Sequence, residues 1–216
     1  MLGGSADAWS EANKTYAAAL FEPAAWEVRL WAAGDYNDFQ HTYLIDWLSG
    51  MCALLNIPRP PDEESVLLAE RANNWITSQV RADFPGAADA IRLLWRQGHI
   101  LYTASGESSS DLENYLGNMG VRDCFTRLYG GDLINTLKAG PDFYEKLLAD
   151  SGVLPADAIV VDDNVKVLKW AAQVGMRVVL VSDRSEQRIS SEVVMEGLLC
   201  TIDSLAKLPA ALDKLP

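Results

Sequence analysis

The chain has 216 residues, of which 49% are apolar and 22% charged, a composition typical of a globular protein with a core of ordinary size. Its 18 Lys and Arg against 30 Asp and Glu give a net charge of −12, which disfavours nucleic acid and anionic membranes as partners, because the long-range field repels polyanions. The three cysteines have no paired spacing, no apolar run is long enough to span a membrane, and the amino-terminal residues lack signal-peptide features. We therefore expect a cytoplasmic protein with reduced thiols.

The first part of the chain predicts helices only. Apolar residues recur at helical spacing in "ADAWSEANKTYAAAL" and in "TYLIDWLSGMCALLNI", which stops at Pro58. A further helix is predicted after the proline-rich turn, with Asp62 as its N-cap. Five of the seven tryptophans lie in this part, and helix packing is the expected role of most of them.

The remainder of the chain alternates helices with short strands. A helix opens at Pro85, and strands are predicted at 100–103, within "FTRLYGGDL", at 158–162, at 177–181 and in "GLLCTI". Helices are predicted in "SSSDLENYLGNMGV", near Pro141, at 165–174 and at the end of the chain. This alternation predicts an α/β fold with a Rossmann-like parallel sheet and helices on both faces. The predicted domains are 1–83, all helical, and 84–216.

Reactive side chains follow three segments of the predicted sheet. Thr103 follows "ILY", Lys138 follows "GGDLINTL", and Asp162 and Asp163 follow "AIVV". Ligands of open parallel sheets bind at the carboxyl ends of strands, where a hydroxyl, an ammonium and a carboxylate pair can hold a phosphate and a divalent metal. Each feature also has an ordinary structural interpretation: a turn-forming threonine, a solvated lysine, and an aspartate N-cap.

The order and spacing of these residues resemble the haloacid dehalogenase-like hydrolases, which are mostly Mg²⁺-dependent phosphatases. The resemblance runs from about residue 84 to the carboxyl terminus and is carried by "FPGAADAIRLLWRQGHILYTASG", "LKAGPDFYEKLL" and "AIVVDDNVKVLKWAAQVGM". It implies catalytic roles for Thr103, Lys138 and Asp162, and a metal-ligand role for Asp163. It also implies that the all-helical residues before position 84 form a cap, which closes over the site and selects a small phosphorylated substrate.

One motif of this family is not found in the sequence. The family's first strand ends in Asp-x-Asp-x-Thr and supplies the nucleophile that forms an aspartyl-phosphate, together with the general acid/base. Asp7, Asp35 and Asp38 precede the second motif, but none of them follows a strand-like run. The strands that end at Thr103 and Asp162 must then pair directly or leave a strand-wide gap of ~5 Å. Mg²⁺ binding through Asp163 alone should be weak or absent.

Three explanations of the missing motif are open: a start placed too late, a short form without catalysis, and a substituting carboxylate, which the geometry disfavours. The first is preferred for the natural protein, and the chain as given should be inactive in aspartyl-phosphate chemistry. A non-catalytic binding or regulatory protein is the main alternative function. A 2-haloacid dehalogenase is the second alternative, which Ala104 disfavours because that branch commonly has Ser-Asn at the second motif. Because unpaired interior strand edges favour association, a homodimer is also expected.

Overall fold

The computed structural model describes residues 2–20, 22, 28, 34–182 and 195–214. The chain divides into two compact units, Met1–Ser78 and Gln79–Pro216. The division falls in the turn that ends the third long helix, a few residues before the boundary at 83/84 that the sequence predicts.

The described part of the first unit contains three long helices. They are α1 (Ala6–Leu20), α2 (Tyr36–Leu54) and α3 (Asp62–Thr77). The carboxylate of Asp35 caps α2 by accepting from the N–H of Asp38 at 3.0 Å. The predicted N-cap Asp62 is wrong: Pro61 holds the cap position, and Asp62 is the first helical residue. There its charge interacts favourably with the positive end of the helix dipole.

The first unit has its own apolar core, which α1 and α2 build together. Trp47 is buried among α2 side chains, and its Nε1 donates to Oδ1 of Asn13 on α1 at 2.8 Å. Gly50 allows the two helices to approach closely, because a Cβ at that position would lie 2.0 Å from the ring of Tyr16. Trp75 differs from the helix-packing role predicted for most tryptophans, since 68% of its surface is exposed on α3. Trp26 and Trp31 lie outside the described residues.

The second unit has the predicted α/β alternation. Its elements, in chain order, are α4 (Ala87–Arg96), β1 (Leu101–Ala104), α5 (Ser109–Asn118), β2 (Phe125–Tyr129), α6 (Asp142–Ser151), β3 (Ile159–Asp162), α7 (Val165–Gln173), β4 (Arg177–Val181), β5 (Leu198–Ile202) and α8 (Leu208–Leu212). Every strand pairing is parallel. The α/β fold class that the sequence predicts is therefore confirmed.

The strands form two sheets rather than one. β1 pairs with β2, and a second sheet has the order β3-β4-β5. Within the described residues, β1 and β3 are not paired with each other, so the second of the two predicted arrangements, an unpaired break in the sheet, is the one found.

Two apolar clusters join the sheets on their opposite faces. On one face Tyr102 and Ala104 of β1 pack with Val160 of β3, beneath α6 and α7. On the other face Leu101 of β1 packs with Ile159 and Val161 of β3, beneath α4 and α8. Because β1 and β3 contribute to both clusters, the two sheets form one layer between two helical layers, as the sequence predicts.

Two negative predictions concern the cysteines and the membrane. Cys52, Cys124 and Cys200 are all free thiols, and the first two are buried. Burial raises the pKa of the Cys52 thiol, which the nearby positive charge of Arg59 partly offsets. In the part of the chain that the structure describes, no helix combines the length and the apolar character needed to cross a bilayer.

Candidate active site

The residues predicted from the sequence lie where the strands of the second unit end. Thr103 is the penultimate residue of β1, and Asp162 is the last residue of β3. The chain leaves β1 through a short loop to Ser108, whose hydroxyl caps α5 by accepting from the N–H of Asp111. It leaves β3 through a tighter turn to Asn164, whose side chain caps α7. Both turns present polar groups at the carboxyl edge of the sheets.

The side chain of Lys138 contacts Asp162, although 24 residues separate them in sequence. Its Nζ donates to Oδ2 of Asp162 at 2.9 Å, and the other carboxylate oxygen accepts from the N–H of Asn164 at 2.8 Å. The two side chains are only 14% and 16% exposed. Lys138 and the turn N–H therefore offset the charge and desolvation that adjacent aspartates impose at the strand end.

The loop that follows β1 lies beside the same lysine. A Cβ built on Gly106 would lie 4.0 Å from the Cβ of Lys138, which is ordinary van der Waals contact. The loop three residues after Thr103 and the Lys138–Asp162 pair are thus neighbours. The structure brings the loop after β1, the lysine segment and the β3 end to one place, and these are the three segments that the sequence predicts to meet.

The hydroxyl of Thr103 is already engaged within the sheet. Its Oγ1 donates to the main-chain carbonyl of Tyr129 on β2 at 3.2 Å, and the same carbonyl accepts from the N–H of Ser105 at 3.0 Å. A threonine hydroxyl has one proton to donate, so it can donate to a bound anion only by releasing that carbonyl. The Ser105 hydrogen bond would keep the carbonyl satisfied during such a change.

Asp163 is exposed, and no hydrogen bond or ion pair joins its side chain to another described residue. Its carboxylate is therefore available for a cation. Among residues 2–20, 34–182 and 195–214, however, no group of three His, Cys, Asp or Glu side chains is arranged to hold a metal ion. Mg²⁺ prefers about six oxygen ligands, so water and substrate would have to supply most of them. The residues described fit a weak Mg²⁺ site only.

Tyr144 is a residue beside the site that sequence reasoning assigned only to a helix. It is fully buried on α6, and its hydroxyl has no hydrogen-bond partner. Burial raises the pKa of Tyr144, and the negative charge of Asp162 raises it further, which places the phenol near the carboxylate. The only sequence signal was the position of this tyrosine in "GPDFYEKLL", after Lys138.

A second set of contacts that the sequence did not predict fixes the loop after β1. The carboxylate of Asp132 accepts from the N–H of Ser109 at 2.7 Å and from its hydroxyl. Gly130 lies against this loop so closely that a Cβ there would be 2.4 Å from the carbonyl of Glu107. Burial, and then the charge of Asp111, raise the pKa of the Glu107 carboxyl. These contacts hold the loop beside Lys138.

Comparison with known proteins gives related sequences and folds. The sequence profile of a family described as "haloacid dehalogenase-like hydrolase" matches residues 3–175. A bifunctional riboflavin kinase/FMN phosphatase from Arabidopsis thaliana is 28% identical over 119 residues, which are 53% of this chain and 31% of that protein. The chain thus spans under a third of the length of this curated relative.

Solved structures show the same fold at low sequence identity. A dehalogenase with an intermediate complex has a TM-score of 0.62 at 18% identity, covering 99% of this chain and 87% of its own. CbbY from Rhodobacter sphaeroides in complex with phosphate has a TM-score of 0.59 at 21% identity, covering 99% and 95%. The L-2-haloacid dehalogenase from Xanthobacter autotrophicus with chloropropionic acid covalently bound has a TM-score of 0.58 at 15% identity, covering 97% and 94%. At these identities the likeness concerns the fold alone.

Proposed function

Because the chain belongs to the haloacid dehalogenase-like hydrolases, we propose that its site serves phosphoryl transfer, as the core of a Mg²⁺-dependent phosphatase acting on a small phosphorylated molecule through an aspartyl-phosphate. The observation that carries the proposal is the Lys138–Asp162 contact beside the exposed carboxylate of Asp163. An ammonium held next to a free carboxylate can neutralise phosphate oxygens while the carboxylate holds a cation.

Each side chain has a distinct role in this proposal. Lys138 attracts the transferring phosphoryl group, and Asp162 holds the lysine in place through its 2.9 Å contact. Thr103 donates its hydroxyl to a phosphate oxygen after releasing the Tyr129 carbonyl. Asp163 supplies the protein carboxylate for Mg²⁺, which, when bound, withdraws charge from the phosphate.

The reaction also needs a nucleophilic carboxylate. Aspartyl-phosphate chemistry draws it from an Asp-x-Asp-x-Thr motif, which this sequence does not contain. Residues 1–216 should therefore not turn over a phosphate ester on their own. The relative named as an FMN phosphatase supports phosphate esters rather than haloacids as the substrate class. The apolar Ala104 next to Thr103 supports the same choice.

Two purified chains test the proposal: residues 1–216, and the same chain extended at its amino end by an apolar strand and an Asp-x-Asp-x-Thr motif. With p-nitrophenyl phosphate we expect no turnover by the first and Mg²⁺-dependent turnover by the second. Asp163→Ala in the extended chain should abolish the activity, because it removes the metal ligand. Mg²⁺-dependent hydrolysis by residues 1–216 that Asp163→Ala abolishes would contradict the proposal. Release of chloride from 2-chloropropionate, without phosphate release, would favour a dehalogenase.

A non-catalytic binding function is the second candidate. It is favoured by the strands β1 and β3, which lack a second neighbour among the described residues and so retain the capacity to pair. This candidate predicts that residues 1–216 bind a phosphorylated ligand or a partner without hydrolysis. The same edges favour a homodimer, which sedimentation velocity would test. The fraction of chain present as dimer should rise with protein concentration in the micromolar range.

A further inference from the structure

The segment between β2 and α6, which carries Lys138, is tied at its start to the first turn of α5. Asp132 lies on this segment ahead of Lys138, and its carboxylate accepts from both donors of Ser109, the N–H at 2.7 Å and the hydroxyl. Ser109 is the first residue of α5. A carboxylate at a helix amino end also interacts favourably with the helix dipole, so this contact is stronger than a neutral hydrogen bond.

Gly130 leaves the space that this contact needs. A Cβ built on Gly130 would lie 2.6 Å from Oδ1 of Asp132 and 2.6 Å from the backbone nitrogen of Ser109. Any side chain at this position would therefore push the carboxylate and the helix end apart. The contact depends on a close approach of two segments that only glycine permits here.

The chain between Asp132 and Lys138 forms a compact turn. The N–H of Thr136 donates to the carbonyl of Gly131 at 3.0 Å, which closes the turn on itself. Thr136 is only 5% exposed, and its hydroxyl accepts from Nζ of Lys146 on α6 at 2.5 Å. Because the turn is closed and anchored on α6, a displacement of Asp132 is transmitted to Lys138.

Asp132 therefore connects two sides of the proposed phosphate site. One side is Lys138, whose Nζ contacts Asp162 at the end of β3. The other side is the loop after β1, where a Cβ on Gly106 would lie 4.0 Å from the Cβ of Lys138. The N–H of Gly106 donates to no other described residue, so it is available to an anion. Donors on two separate segments bind one anion tightly only when the spacing of the segments is fixed beforehand.

We propose that Asp132 is a positioning residue of the phosphate site, which acts through Ser109 to fix the spacing between the loop after β1 and Lys138. The inference rests on the proposed function, since it takes phosphate as the ligand of Lys138. Its predicted effect is opposite in sign to that of charge. If charge alone mattered, removal of a carboxylate from the lysine segment would strengthen the binding of an anion. Loss of the fixed spacing weakens it.

The test measures the dissociation constant of inorganic phosphate for the full chain and its variants, with Mg²⁺ present, from amide chemical shifts. Asp132→Ala removes both contacts with Ser109 and should weaken phosphate binding about fivefold, because the two segments must then be ordered on binding. Asp132→Asn keeps an acceptor for the N–H of Ser109 without the charge, and should bind phosphate as tightly as the unchanged chain or more tightly. A merely structural role would lower the stability of the variants and leave the phosphate affinity of the folded chains unchanged.

Asp123 provides the matched control. It is an exposed aspartate just before β2, whereas Asp132 follows the other end of that strand. Asp123→Ala removes the same charge and should change the phosphate dissociation constant less than about twofold. Amide exchange at Ser109, measured without phosphate, reports the contact itself. It should be at least about tenfold faster in Asp132→Ala and close to that of the unchanged chain in Asp132→Asn.

Three results would overturn the inference: phosphate affinity unchanged or raised in Asp132→Ala, equal weakening in Asp132→Ala and Asp132→Asn, and equal weakening in Asp123→Ala. If Asp132→Ala does not fold, Ser109→Ala, which removes the hydroxyl contact alone, should weaken phosphate binding about twofold, and unchanged binding would overturn the inference. Failure of the unchanged chain to bind phosphate would overturn the proposed function and this inference together. Unchanged affinity in Asp132→Ala would overturn the inference and leave the proposed function standing.

Discussion

The contact between Lys138 and Asp162 gives the sharpest energetic prediction. At an effective dielectric constant of about 20, unit charges 2.9 Å apart attract by about 6 kcal/mol. Most of this is offset by desolvation of two side chains that are 14% and 16% exposed. We expect a net coupling free energy of about 2 kcal/mol, which is within the range measured for close, poorly solvated charge pairs.

A double-mutant cycle measures this coupling directly. Lys138→Met keeps the apolar stem, and Asp162→Asn keeps an acceptor for the N–H of Asn164. Urea unfolding of the four proteins gives the coupling as the non-additive part of the free energies of unfolding. Each substitution made alone should lower the free energy of unfolding by more than the same substitution made in the presence of the other. The reason is that a single substitution leaves the other charge buried without its partner.

The matched control is the exposed pair Lys207–Asp203, which joins the same residue types at 2.7 Å. Its side chains are 65% and 48% exposed, so its coupling should be below about 0.5 kcal/mol. A coupling for Lys138 and Asp162 no larger than that of the control would refute the reasoning, since it would show that water screens the site pair as completely as a surface pair.

Three further predictions concern packing and pH. Gly130→Ala should destabilise the fold by about 1–3 kcal/mol in thermal unfolding, because its Cβ would lie 2.4 Å from the Glu107 carbonyl. The control Gly117→Ala should be neutral or stabilising, because Gly117 lies in a helix and a Cβ there would meet open space. Equal effects of the two substitutions would contradict the contact. Tyr144→Phe should leave urea stability unchanged or raised, because it removes an unpartnered buried hydroxyl, and a loss above about 1 kcal/mol would reveal a partner. Burial and the Asp150 hydrogen bond raise the pKa of Tyr129 to about 12, so the folded phenol stays protonated where the unfolded one ionises. Stability should therefore fall between about pH 10 and 12, and Tyr129→Phe should flatten that fall; an unchanged slope would contradict the shift.

Elements with strong local signals could be predicted closely. β4 has the predicted bounds, 177–181, because an apolar run follows the turn at Gly175, where φ is +86°. β1 begins one residue later than predicted, because Ile100 is 69% exposed and follows a turn in which the N–H of His99 bonds back to the helix at Leu94. Apolar character alone did not distinguish this exposed isoleucine from the strand.

The identities of the site residues could be predicted more readily than their partners. Thr103 and Asp162 lie at the ends of strands, which local pattern locates, whereas Lys138 lies in the loop between β2 and α6. The hydroxyl of Thr103 donates to the carbonyl of Tyr129, which is 26 positions away in sequence. The N–H of Ser109 donates to the carboxylate of Asp132, which is 23 positions away. Such contacts depend on strand register and loop packing, which no local pattern encodes.

Binding of inorganic phosphate tests most directly whether the three segments form one anion site. With ¹⁵N-labelled chain and Mg²⁺ present, titration with phosphate should shift the amides of residues 105–108, 138–140 and 163–164 more than any others. Lys138→Met should remove these shifts, whereas Lys207→Met, which changes an exposed lysine, should leave them unchanged. Shifts that are largest elsewhere, or that persist in Lys138→Met, would contradict the proposed site.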